Sequence, residues 1–264
     1  MPKPTEPRSC PRLSKPRQIL ALLSLNADRM VPVPNLIEEL WGTQPPQSAP
    51  TTLQTYVSQV RTRLDAARDP GTPRCARDVL VTCHGGYVLR IPWAVIDVHE
   101  YQGLVAAYHA AFARGDDAQA AVSYHAALAL WREPLLGDVP CGRVLITERR
   151  RLEADRLVVL ERRIDADLRL GRHAGLLAEL ADLVARHPLH EGLHSQAMVA
   201  LYRSGRRTAA LDVYRRLRRL LVDRLGVEPS PQLQRLRGAI FMADPALNVV
   251  AGPRRTSTFD LYAA

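Results

Sequence analysis

The sequence predicts a mainly α chain, with a winged helix-turn-helix over residues 14–93 and an all-α, tetratricopeptide-like helical-repeat domain over residues 97–242. Three observations predict it. Three short amphipathic segments precede two β-rich runs that meet at Gly85-Gly86. From Asp97 onward the texture changes to long amphipathic helices. Within those helices Gly171 and Gly205 stand 34 residues apart in similar surroundings. Leu and Ala supply most of the apolar content and only 5% of the chain is aromatic, which favours helix packing over a β-sandwich.

Residues 1–13, with prolines at positions 2, 4, 7 and 11, read as a flexible arm or a reduced N-terminal strand. Ser14 can cap a first helix whose apolar face is Ile19, Leu22 and Leu23, and Asn26-Ala27-Asp28 ends it. Pro34 opens a second short helix carrying Leu36, Ile37, Leu40 and Trp41, and Gly42 stops it. Ser48 is the natural cap of a third helix reaching to about Arg68, with Pro50 tolerated in its first turn. Asp69-Pro70-Gly71-Thr72-Pro73 is a loop signal. Val79–Cys83 and Tyr87–Ile91, around His84-Gly85-Gly86, read as a hairpin, and Pro92-Trp93 ends the unit.

Beyond it, helices are expected at 97–113, 117–131, 147–170, 174–186, 190–203, 207–225 and 230–242, with a mobile tail over 243–264. The segment from Leu168 to His173 is echoed by Leu201 to Arg207. Ala210 and Tyr214 follow Gly205 at the same offsets as Ala120 and Tyr124 follow Gly115. A glycine breaks each helical hairpin, a small residue allows close packing and an aromatic ring fills the interior. Generic helical hairpins share parts of this pattern. Such solenoids bind other proteins far more often than they catalyse.

The formal charge is +9, from 36 basic against 27 acidic side chains, and the basic residues are nearly all arginine. Arginine suits phosphate and guanine edges, although a GC-rich coding sequence produces the same bias. Cys10, Cys75, Cys83 and Cys141 form no zinc spacing and no disulfide framework, as expected of a reducing cytosol. No apolar run reaches membrane-spanning length and no secretory signal is present, so a cytoplasmic location, associated with the nucleoid, is expected. No phosphate-binding loop, dinucleotide fingerprint, HExxH or CxxC occurs, so no enzymatic activity and no cofactor are expected. His190 and His194 are four apart on one helix, a spacing that suits a metal but far more often marks ordinary histidines.

The third helix is the most informative. Leu53, Val57, Val60 and Leu64 form one buried stripe. The other side carries Thr51, Thr52, Gln54, Thr55, Ser58, Gln59, Arg61, Thr62 and Arg63. Short hydroxyl and amide side chains suit base edges and thymine methyls, while arginines grip the phosphate backbone. A solvated helix face is the bland alternative; a tight helix before it and a hairpin after it favour DNA reading. The hairpin tip, with His84 and Tyr87, either reaches a groove or only turns the chain while Tyr87 packs inward. The clusters Arg149–Arg151, Arg162-Arg163, Arg215-Arg216 and Arg218-Arg219 lie among acidic residues and read as solvated faces with local pairs, with a second DNA contact surface or a partner surface as the sharper alternative.

The segments Lys15–Leu23, Leu36–Gly42, Thr52–Ser58, Val81–Leu89 and Ala200–Arg206 together resemble the SARP family, the Streptomyces antibiotic regulatory proteins, over residues 12–242. The resemblance implies a response-regulator-type winged helix followed by a bacterial transcriptional activation domain. It implies binding of double-stranded DNA at promoter direct repeats, with a second copy as neighbour, and recruitment of RNA polymerase holoenzyme to an antibiotic biosynthetic gene cluster. It places the DNA-contacting face on Thr51, Thr52, Thr55, Tyr56, Ser58, Gln59, Arg61 and Arg63, and wing contacts on Thr82, His84 and Tyr87. Related recognition helices often carry arginine where this chain has Ser58 and Gln59. The chain is similar to the short form of the family, whose output is expected to follow its own expression level. The competing reading is a protein-interaction adaptor with a non-DNA-binding docking module.

Overall fold

The computed structural model describes residues 14–67, 75–91, 97–132 and 134–248. The arm, the Pro-Gly loop, Pro92-Trp93 and the tail beyond residue 248 lie outside the described residues. The chain divides into two compact units, residues 1–100 with 131–155, and residues 101–130 with 156–264.

In the first unit, α1 (Ser14–Leu25), α2 (Val33–Trp41) and α3 (Ala49–Ala66) bury the residues their spacing predicts. Ile19, Leu22, Leu23, Leu36, Leu40, Leu53, Val57 and Val60 share one core, and Leu64 is half-buried at its edge. Pro34 lies in the first turn of α2 and Gly42 closes it. Ser48 occupies the N-cap position of α3, yet its hydroxyl makes no capping bond. The hairpin consists of β2 (Leu80–Cys83) and β3 (Gly86–Leu89), preceded by a single-turn α4 (Ala76–Val79). A third strand, β1 (Met30–Pro32), pairs antiparallel with β3 and sets the order β1-β3-β2. This strand was not foreseen: it is three residues long, and the Val31↔Tyr87 pairing that stabilises it comes from a distant part of the chain.

The unit is completed from further along the sequence. Leu145 is fully buried in this same core, with Leu136, Val139, Cys141 and Val144 packed on its margin. Glu39, on α2, is buried among them and accepts hydrogen bonds from the backbone N–H of Gly142 at 2.5 Å and of Leu145 at 2.8 Å. The Gln18 side-chain amide donates to the same carboxylate at 3.2 Å. Two otherwise unpaired N–H groups at the start of α7 (Arg143–Arg169) are thereby capped by a residue of another helix. That is why α7 begins at Arg143 instead of near Thr147. A side chain at Gly142 would put its Cβ 2.0 Å from the Glu39 carbonyl oxygen, so only glycine admits this approach.

The second unit holds α5 (Asp97–Ala113) from Tyr101 onward, α6 (Asp117–Ala129), the later part of α7, α8 (Leu177–Arg186), α9 (Glu191–Arg203), α10 (Arg207–Leu225) and α11 (Pro231–Met242). Its hairpins follow one rule. Gly115, Gly171 and Gly205 take φ of 77°, 76° and 75°, a left-handed cap open to glycine without strain. After each, the next N–H reaches back to a carbonyl five residues earlier: Asp116 to Ala111, Arg172 to Asp167 and Arg206 to Leu201. Ala120, Tyr124, Ala210 and Tyr214 are all buried. Leu176 and Leu180 hold the same two offsets after Gly171 and are buried as well, so the repeat has three members.

Polar groups stitch these helices together. His190 is the N-cap of α9, its Nδ1 accepting from the Leu193 N–H, and buried His194 bonds the His190 carbonyl; burial lowers the pKa of both imidazoles. These contacts give the two histidines a structural role. Burial, reinforced by the neighbouring Asp165 charge, pushes the Glu161 carboxyl up to about 7. Among the described residues no helix is long and apolar enough to cross a membrane, no cluster of metal-binding side chains occurs, and Cys75, Cys83 and Cys141 are free thiols.

Candidate nucleic-acid interface

The buried stripe of α3 fixes which of its residues face outward. Thr51, Gln54, Thr55, Ser58, Gln59, Thr62 and Arg63 are exposed and lie on the side opposite Leu53, Val57 and Val60. The Thr55 hydroxyl donates to the Thr51 carbonyl at 3.2 Å and the Thr62 hydroxyl to the Ser58 carbonyl at 3.1 Å. These bonds turn the hydroxyl hydrogens toward the helix and leave hydroxyl lone pairs and methyl groups free on the face. Gln54, Ser58 and Gln59 supply amide and hydroxyl groups of either polarity. Arg63 has no ion-pair partner among the described residues. Thr52 is half-buried at the margin.

Other candidate residues serve the frame of the interface. Tyr56 is half-buried and stacks on Trp41, ring centroids 6.3 Å apart, so its ring ties α3 to α2. Arg61 donates from Nε and Nη2 to the Leu80 carbonyl at 3.0 and 2.7 Å, and from Nη2 to the Thr82 hydroxyl at 2.8 Å. Its planar fork braces the outward face of α3 against the first strand of the hairpin, a correction to the expectation that these donors face phosphate. Thr82 is exposed but is the other end of that brace.

At the hairpin tip His84 is exposed and Gly85 takes a positive φ of 81°. Tyr87 is corrected as well: its ring is buried in the core, because β3 is the central strand and both of its faces are covered. Of the wing residues, His84 alone remains fully available to a ligand. Sequence reasoning missed the brace made by Arg61 and left Tyr87 open between packing inward and reaching a groove, because both depend on where a hairpin some twenty residues away lands on α3.

Arg61→Ala is expected to loosen the α3–hairpin brace. We expect weaker binding to specific and random DNA alike and a lowered melting temperature, with Arg61→Lys restoring neither. Retention of the wild-type melting temperature by Arg61→Ala would show that the brace carries no stability.

A trihelical core with a hairpin braced to an outward-facing third helix, followed in sequence by a helical-repeat unit, defines a two-part transcriptional regulator. The sequence matches two family descriptions in that order: the C-terminal domain of transcriptional regulatory proteins over residues 11–89 and the bacterial transcriptional activator domain over residues 96–241. The chain belongs to the Streptomyces antibiotic regulatory protein family, whose architecture is this pairing. It is 50% identical to the regulatory protein DnrI of Streptomyces peucetius, over 90% of this chain and 88% of that protein. Against the regulatory protein AfsR of Streptomyces coelicolor it is 42% identical over 94% of its own length, but spans only 24% of that longer protein. A solved structure of Mycobacterium tuberculosis EmbR, in complex with a low-affinity phosphopeptide, matches with a TM-score of 0.82 and 31% identity. That match covers 97% of this chain and 63% of EmbR.

Proposed function

We propose that the chain is a sequence-specific, double-stranded-DNA-binding transcriptional activator of a secondary-metabolite gene cluster. It binds direct repeats upstream of a promoter, two copies lying head to tail, and recruits RNA polymerase holoenzyme. One observation carries the reading: α3 presents Thr51, Gln54, Thr55, Ser58 and Gln59 outward as one nearly uncharged polar face, while its other side is fixed in a core. A merely solvated helix face has no need of the brace to a hairpin. The family membership and the names of the relatives support the same reading.

In this reading Ser58 and Gln59 meet base edges, Thr55 offers a methyl to thymine, and Arg63 and His84 approach phosphate. The test is selection of duplexes from a random pool with the full chain, followed by titration of the winning site. Gln59→Ala should change the preferred sequence with a modest change in total affinity. Arg63→Ala should weaken all duplexes similarly and reduce the slope of log K against log salt by about 0.9, the value of one neutralised phosphate. Absence of any enriched, repeated motif with folded protein would refute the reading.

A further inference from the structure

We propose that the groove between α10 and α11 is a docking site for an acidic amphipathic helix of a partner protein. A cavity of about 720 Å³ opens there. Leu211, Tyr214, Phe241 and Met242 line its apolar surface, with Phe241 62% and Met242 76% exposed. Arg215, Arg218, Arg219 and Arg237 line it too, and no carboxylate does. Arg215 pairs along its own helix with Asp212 and Arg218 with Glu228, whereas Arg219 and Arg237 have no ion-pair partner among the described residues. Arg237 instead lies over the Tyr214 ring at 5.3 Å. An apolar floor under an all-cationic rim fits a helix with apolar anchors at i, i+3, i+4 and i+7 and carboxylates on its flanks. Duplex DNA matches the rim but leaves Phe241 and Met242 uncovered, so protein is the favoured ligand.

Gly238 points the same way independently. It lies inside α11 and lines the groove, where glycine weakens a helix relative to alanine. Nothing lies within 4 Å of where its Cβ would be, so no internal packing calls for a glycine. Its missing side chain leaves a shallow floor on which another backbone can approach closely, as small residues do wherever helices pack at short distance.

This inference extends the recruitment reading above, and its test is separate from DNA binding. The probe is a fluorescein-labelled peptide of about 15 residues with leucines at the anchor positions and glutamates elsewhere, beside a lysine version of the same pattern. The full chain should bind the glutamate peptide and discriminate against the lysine one. Gly238→Trp, which fills the groove from open space, should weaken binding about tenfold or more, and Gly238→Ala, which adds only a Cβ to the floor, should weaken it less. Arg219→Glu with Arg237→Glu should weaken the glutamate peptide and favour the lysine peptide, a readout that does not depend on the tryptophan variant folding. In a promoter reporter, Gly238→Trp should keep its affinity for the selected duplex and lose activation.

Equal binding by wild type and both groove variants overturns the proposal. So does a loss of duplex affinity in Gly238→Trp, which would make the groove a nucleic-acid site. Self-association abolished by the same change would make the occupant a second copy. Peptide binding gained only on removing residues 249–264 would make it the chain's own end. Failure of duplex selection with peptide binding intact would sink the DNA reading and leave this one standing.

Discussion

Glu39→Ala is expected to melt the first unit roughly 10 °C below wild type, a loss of about 3 kcal/mol. The carboxylate is almost fully buried and serves three donors at once: the N–H groups of Gly142 and Leu145 and the amide of Gln18. Alanine leaves all of them in a site that water cannot easily reach, and it removes negative charge from the positive end of a 27-residue helix. Glu39→Gln should fall between, since its carbonyl can accept one N–H while its own amide donor faces the other. Thermal unfolding followed by circular dichroism reads the series, and equal melting of Glu39→Ala and wild type would show the cap to be incidental.

The same contact carries a functional consequence. A fragment ending at residue 93 keeps α3 but loses Leu145 and the partner of Glu39. It should bind DNA less tightly than the full chain because its core is incomplete, although every residue of the reading face is present. The first unit therefore includes residues 131–155.

How far this was legible in the sequence depended on the range of each interaction. The stripes Ile19, Leu22, Leu23 and Leu53, Val57, Val60 are local periodicities, and burial follows them closely. The glycine-anchored offsets to Ala120, Tyr124, Ala210 and Tyr214 are likewise written within one hairpin. Sequence spacing cannot reveal a strand such as β1, stabilised by a partner far along the chain, nor a glutamate that caps a helix it never joins. The fate of neighbours is also invisible locally. Arg162 and Arg163 read alike as part of a basic cluster, yet Arg162 is exposed and Arg163 is buried. For the interface, the outward face of α3 could be read from its stripe. The brace made by Arg61 could not, and Tyr87 stayed open between two readings, because both follow from the docking of the hairpin.

Asp167→Ala should be among the most damaging polar changes in the second unit. Asp167 is buried on α7. Its Oδ2 faces His125 Nε2 at 3.1 Å and Arg163 Nη1 at 3.4 Å, and its Oδ1 accepts from Arg172 Nη1 at 3.1 Å. One carboxylate thus joins α6, α7 and the Gly171 hairpin. Its removal leaves the buried Arg163 guanidinium with Glu179 as its one remaining partner among the described residues. Losing one partner of such a pair costs about 3 kcal/mol, near 10 °C in a unit of this size. A buried charge left short of one of its two partners is the cause, so removing both should cost less than removing one: Arg163→Met with Asp167→Leu should melt above Asp167→Ala. Were the double variant to melt at or below the single, the damage would lie in lost packing instead of a stranded charge. The arginines paired on exposed faces, Arg151 with Glu148 and Asp155 or Arg215 with Asp212, should by contrast change stability by about 0.5 kcal/mol or less when truncated. That contrast separates the arginines that hold the repeat together from those left at the surface for partners.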